Sequence, residues 1–409
     1  MTNNIKLDLT EIIKDFFNAE QVGELSNQLN FDKRIPESGT AKKDDLNNSS
    51  FSFGPETKAN IDLIVTYAST RINEDNYLAL LLVLSSSAVT YGDFNSALDL
   101  CDKIISFSAD NPLLSNLSAN AYLLKGEIYS RQANWELSFS KIDSARNLFI
   151  TLNDNVGLAR CENLLGTIYG DLGDLSKAVE HFESALSLTN NLDNYSFTGK
   201  IEINLGIVNT IQGNYDNAVS YFKRALLNFE KINEVKRISE INHNMGMVYT
   251  KKNDLNSALK HFDDSILLAI KSGYMQTCGM AYLSKAYVYS QMKDYKLSLA
   301  FADKAMDIAY KLDDKLTIAE VYKIKGIIHR ESKNFGASEN LLLTSLRINT
   351  ETGNKLNEAE TYHELGVLYK EMGMIEKSKV NLDKALDYFK KISAEPEIKK
   401  LESILKFLI

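Results

Sequence analysis

Five histidines and three cysteines are the side chains with which this chain could do metal, nucleophilic or acid–base chemistry, and their spacing supports little of it. Cys101, Cys161 and Cys278 form no CxxC pair. They therefore offer neither a zinc site nor a disulfide framework, and a reducing compartment suits them. The segment YHELG at Tyr362–Gly366 carries the histidine and glutamate of a zinc-protease helix but lacks its second histidine. No GxGxxG, no GxxxxGK followed by Ser or Thr, and no GxSxG occurs. The sequence thus lacks both the glycine-rich backbone that cradles phosphates and the sharp turn that presents a serine nucleophile. No catalytic residue, no cofactor and no metal are expected.

The elements that hold these residues are set by a repeat. LGTIYGDLGDLSKAVEHFESAL at Leu165–Leu186 returns forty residues later as LGIVNTIQGNYDNAVSYFKRAL at Leu205–Leu226. Gly126, Gly166, Gly206, Gly246, Gly326 and Gly366 fall in one column at multiples of 40, with Ala286 in the remaining slot. These mark seven copies. A degenerate eighth, centred on Ser85, precedes them. Three residues after the column glycine stands a tyrosine in most copies, and small, large and small residues follow at twelve, sixteen and nineteen, as in Ala218, Phe222 and Ala225.

Apolar positions recur at three and four residues in both halves of each copy, which predicts two helices separated by a polar break. Gly173 and Gly213 sit where the first helix must stop, and Asp174, Asn214 and Asp254 can cap the helix that follows. Glycine costs a helix interior about 1 kcal/mol relative to alanine. Its recurrence in the column therefore implies that close helix approach outweighs propensity. His181 and His261 share one column beside the large packing residue, and His329 replaces a column tyrosine, so all three read as structural.

The glycine, tyrosine, alanine, phenylalanine, alanine spacing resembles the tetratricopeptide repeat, and it covers about 320 of the 409 residues. The resemblance implies an all-α fold, a right-handed α-solenoid of about eight helix-turn-helix units. The usual unit has about 34 residues. The surplus falls after the second small column, which predicts a longer second helix and a wider exit loop. Forty-residue units are similar to those of the scaffolds that orient the mitotic spindle and of bacterial Rap-type regulators.

In that family the first helix of each pair lines a concave surface, so the resemblance directs attention to first-helix positions left free by the packing columns. The expected groove comprises Asn163, Lys200, Ile203, Asn204, Ile207, His243, Asn244, Met247, Lys251, Met280, Tyr287 and Gln291. Ile203, Ile207, Met247 and Tyr287 are apolar where solvent would favour polar residues, as at a covered interface. Asn204 and Asn244 resemble the family's peptide-holding asparagines, whose amides can both donate to and accept from an extended backbone. Further along, Glu320, Lys323, Arg330, Glu331, Glu360, His363, Glu364 and Lys370 read as a solvated mixed-charge face, with His363 also a possible contact.

The expected organisation is an amphipathic helical segment at 1–30, a flexible linker at 31–58, a capping helix at 59–76, the repeat array at 77–396 and a C-terminal capping helix at 397–409. The Leu9, Ile12, Ile13, Phe16 and Phe17 face is either an extra cap or dimer contact, or an internal occupant of the groove. The net charge of -8, from 54 acidic and 46 basic residues, argues against a general nucleic-acid partner. The longest apolar run, Leu78–Leu84, is far short of the roughly 18 residues that span a bilayer. Together these features point to a cytoplasmic, non-enzymatic scaffold that binds a partner protein or peptide. The alternative is a peptide-gated signalling regulator of the Rap kind, whose superhelix changes pitch on binding.

Overall fold

The structure, a computed structural model, describes residues 9, 11–29, 55–90, 92–108, 111–189 and 193–408. Most of the linker expected at 31–58 lies outside them, and residues 55–58 already belong to a helix. The chain forms two compact units, Met1–Leu165 and Gly166–Ile409.

In the first unit, residues 11–16 form a short helix, α1, followed by α2 (Ala19–Gln28). Asn18 and Gln21 cap α2 reciprocally, each side chain accepting from the other's backbone amide at 2.9 and 3.1 Å. Then come α3 (Pro55–Ala68), the pair α4 (Glu74–Thr90) and α5 (Phe94–Ser108), and the pair α6 (Ser115–Arg131) and α7 (Trp135–Leu152). The degenerate first copy is thus a complete helix pair. Leu9, Ile13, Phe17 and Leu25 are buried in one core with Ile61 and Ile64 of α3 and Leu81 and Leu84 of α4. Tyr67 of α3 donates to Glu24 of α2 at 2.5 Å. This corrects the idea that the N-terminal helix binds the groove: its apolar face is consumed as an additional cap over α3 and α4, because those helices offer an uncovered apolar side of their own.

The array continues through α8 (Asn155–Leu172) and α9 (Leu175–Thr189), α10 (Tyr195–Gln212) and α11 (Tyr215–Lys231), and α12 (Val235–Lys251) and α13 (Leu255–Lys271). After them come α14 (Met275–Gln291) and α15 (Tyr295–Leu312), α16 (Lys315–Glu331) and α17 (Phe335–Glu351), α18 (Lys355–Glu371) and α19 (Ile375–Lys391), and finally α20 (Glu395–Lys406). The first helices α4, α6, α10, α12, α14, α16 and α18 each pack on the second helix that follows. In addition α12 meets α14, α14 meets α16 and α16 meets α18.

The repeat columns explain this packing. A Cβ placed on Gly206 would stand 2.6 Å from Phe222, one on Gly166 2.7 Å from Phe182, and one on Gly326 2.8 Å from Leu342. The large residue at sixteen therefore occupies the space where the glycine lacks a side chain, and the helices close together. Where Ala286 replaces the glycine, the large position holds Ala302, so the added methyl is balanced by a lost side chain. Ser138, Ser298 and Ser378, in the first small column, each donate at 2.7 Å to the carbonyl of Gly126, Ala286 and Gly366. Tyr169 stacks on His181 at 5.1 Å and Tyr249 on His261 at 5.2 Å, the structural role expected of these histidines.

Two local expectations are corrected. The surplus of the 40-residue unit lengthens the second helix, and a wider exit is not general: α11 hands over to α12 through Ile232, Asn233 and Glu234 alone, whereas α9 ends at Thr189 and α10 begins only at Tyr195. Asp174 and Asp254 cap their helices, but Asn214 makes no side-chain cap bond, its amide being turned to Gln212.

Candidate functional site

In the unit Gly166–Ile409, four successive first helices line one cavity of about 500 Å³, α12 with positions after its column residue and α18 with positions before it. Met247 and Lys251 reach it from α12, Ser284, Tyr287 and Gln291 from α14, Glu320 and Lys323 from α16, and Glu360, His363 and Glu364 from α18. Pro396, Glu397 and Lys400 of α20 also line it, as do Tyr215 of α11, Leu255 of α13 and Phe389 of α19. Met247 and Tyr287 stand one residue after their column position, and Lys251 and Gln291 five after. The 3.6-residue helical turn thus brings both to the side of the helix turned away from its partner.

Of the expected groove residues, the cavity gathers Met247, Lys251, Tyr287 and Gln291. Lys200, Ile207 and Met280 are exposed elsewhere on the first helices, and Asn204 and Asn244 are half-buried. Ile203 packs against the core formed by α11 and α12. Asn163, half-buried, belongs to the other unit. His243 is buried, its Nε2 3.0 Å from Ser284 Oγ on α14. It therefore lies beneath the surface, bridging adjacent repeats. Burial lowers its pKa to about 4, leaving the ring neutral.

Part of the charged face read as solvated is buried: Lys323, Arg330 and His363 are covered, whereas Glu331 is exposed and Glu360 and Lys370 are half-buried. Lys323, with 7% of its side chain exposed, lies 2.7 Å from Glu320 and 2.6 Å from Glu360. Burial disfavours its charge, but the two carboxylates outweigh that and raise its pKa. One lysine shared by two carboxylates leaves Glu320 the weaker partner, and burial raises its pKa. Arg330, equally buried, pairs with Glu364 at 2.6 Å. For Glu364 burial works upward, but Arg330 prevails and holds the carboxyl at about 2. His363 is also buried, its pKa lowered by burial, with no hydrogen-bond partner for Nε2 among the described residues.

The pairs Lys323–Glu360 and Arg330–Glu364 were missed because each joins helices one repeat apart, and a charge pattern on a single helix gives no sign of its neighbour's charges. The one available signal lay in comparing register positions: Glu320 and Glu360 fall in one column, and Lys323 falls in the column of His363. Cys101 and Cys161 are buried, and burial pushes both thiols up to about 12, which leaves them unreactive. No helix among the described residues is long and apolar enough to cross a membrane.

Models of the tetratricopeptide repeat match residues 117–191 and 197–271 and, in a second form, residues 281–311 and 359–391, together about half of the chain. No curated protein matches the sequence significantly. Among solved structures, the apo form of RapI is similar at 17% identity and a TM-score of 0.61, covering 84% of this chain and 92% of that one. Aspartyl phosphate phosphatase F from Bacillus subtilis is similar at 12% identity and 0.63, covering 83% and 90%. The Rap conjugation gene regulator of the plasmid pLS20, in complex with the Phr* peptide, is similar at 17% identity and 0.56, covering 85% and 90%. At these identities the likeness is one of fold.

Proposed function

Because the chain belongs to the tetratricopeptide repeat family, we propose that it is a non-enzymatic interaction protein whose first-helix surface holds a peptide segment of a partner. The observation that carries this reading is the cavity lined jointly by the four successive first helices α12, α14, α16 and α18. Its volume lies within the range of roughly 300–1,000 Å³ typical of small-ligand sites. Met247 and Tyr287 supply apolar contact of the kind that anchors interfaces, and Lys251 and Gln291 supply polar groups at the rim. Asn244 and Met280 extend the contact along α12 and α14, and Ile207, Asn204, Ile203 and Lys200 carry it onto α10. His243 sets the position of α14 from below through Ser284. Asn163 is proposed as a contact within its own unit.

A second reading is favoured by the likeness to Rap proteins, one of which was solved with a peptide. In it, a bound peptide changes the pitch of the array and so regulates a signalling partner. Small-angle scattering with and without a bound peptide separates the two, since only this reading requires the pitch to change.

Binding is measured on a peptide array and then in solution by fluorescence anisotropy with the best labelled peptide. Replacing both Tyr287 and Met247 with alanine is expected to weaken binding about tenfold or more, the loss typical of buried anchors. Helicity should not change. Unaltered affinity in the double variant would show that the peptide binds elsewhere.

A further inference from the structure

The residue that ends each first helix is left-handed in every clear copy: Ala133, Gly173, Gly213, Asn253, Lys293, Lys333 and Gly373 all have positive φ. Alanine and lysine fill this position in three copies, so the backbone does not by itself demand glycine. At Gly173 and Gly213 the space does. A Cβ on Gly173 would stand 2.9 Å from Ile392 Cγ2 and 3.0 Å from the Lys391 carbonyl oxygen, and one on Gly213 2.7 Å from Pro396 Cγ. At Gly373 a Cβ would meet nothing within 4 Å. The turn between α19 and α20, with the start of α20, is thus seated on two consecutive first-helix ends about 180 to 220 residues earlier in the chain.

Two further contacts extend the seat. Ile211, at the end of α10, packs into the cluster that contains Phe389, Ile392 and Leu401. Lys251, at the end of α12, pairs with Glu397 in the first turn of α20. The ends of α8, α10 and α12 are therefore all engaged by one short C-terminal stretch. A terminal cap needs only to cover the last repeat, which Leu401 and Ile398 do against α19. The contacts at Gly173, Gly213 and Lys251 are additional to that task, and the same stretch supplies one wall of the cavity through Phe389, Pro396, Glu397 and Lys400.

We propose that α20 is a gate: docking of the α19–α20 turn on the end of α8 at Gly173, and of the first turn of α20 on the ends of α10 and α12 at Gly213 and Lys251, narrows the open cavity, and release of those contacts widens it for a ligand. The ion pair at its centre is partly exposed, with side-chain exposures of 41% and 22%. Such pairs add little to stability, which suits a contact that opens while Leu401 keeps the helix anchored to α19. The purpose of the gate rests on the cavity being the ligand site, but its existence can be tested without a ligand.

The test uses the full chain with Ser284→Cys as a reporter inside the cavity and follows its modification by 5,5′-dithiobis(2-nitrobenzoate). The native cysteines are buried and serve as the slow background. Glu397→Gln removes the ion pair, and Gly213→Ala places a methyl under Pro396. Gly373→Ala imposes the same left-handed strain where nothing is seated. Glu397→Gln and Gly213→Ala are expected to speed labelling of the reporter about fivefold, the most that losing a weak local contact gives. Gly373→Ala should leave the rate unchanged. Equal rates in all variants, or acceleration by Gly373→Ala matching that of Gly213→Ala, would overturn the gate. Glu397→Gln introduces no steric strain, so the test survives if Gly213→Ala unfolds. If labelling accelerates as expected while no peptide binds, the gate stands and the peptide-binding reading fails.

Discussion

At the scale of single residues, Gly206 and Phe222 act as one unit, since the ring occupies the place of the missing side chain. Gly206→Ala should therefore destabilise the protein by about 1–3 kcal/mol, as overpacking does, although alanine is the better helix former. Phe222→Ala alone should cost about 3–5 kcal/mol. The double variant reproduces the pairing of Ala286 with Ala302, so its loss should fall short of the summed single losses by about 1 kcal/mol or more. Urea unfolding of the four proteins measures this coupling, and strict additivity would refute it. Such residues were legible in the sequence because a close helix approach imposes the same requirement in every copy. The burial of His243 was not. It depends on Ser284, and the register of one helix does not reveal which side chain the next repeat will bring against it.

At the scale of elements, α16 and α18 are joined by Lys323, which holds Glu320 on its own helix and Glu360 on the next. Lys323→Met leaves two carboxylates facing each other without their cation. Removing one partner of a buried pair typically costs about 3–5 kcal/mol, and that loss is expected at pH 7. The variant should partly recover near pH 5, because without the lysine the carboxylates take up protons more readily and shed their repulsion. Equilibrium unfolding at the two pH values reads this out, and a variant as stable as the parent at pH 7 would show the network to be dispensable. The helices themselves were plain from their apolar period and caps. The pairing of their charges was not, because a solvated charged stripe and one half of a buried network look alike until the neighbouring helix is in place.

At the scale of the molecule, the buried titratable groups set how the fold responds to acid. The His243 pKa is about 4 in the folded protein against an ordinary 6.5. The unfolded chain therefore takes up the proton first, and stability present above pH 6.5 is lost as the pH falls to 4. For a fully buried ring this amounts to roughly 3 kcal/mol. Burial of His261 and His363 lowers their pKa values too and acts in the same direction. The Glu364 carboxyl, held at about 2 against 4.5, contributes stability that is present above pH 4.5 and lost as the pH falls to 2. Denaturation profiles across pH 7.5 to 4 should show His243→Gln losing less stability than the parent, and parallel profiles would contradict the assignment.

The seating of Pro396 beside Gly213 also fixes how many repeats the chain can hold. Removing forty residues between α12 and α18 would leave every surviving helix pair with a suitable neighbour, so the shortened protein could still fold. Its last helix, however, would arrive one step short of the glycines made to receive it. Repeat number in this chain is accordingly a dimension of the closed assembly, and a protein altered by one unit would keep its helices and lose its closure.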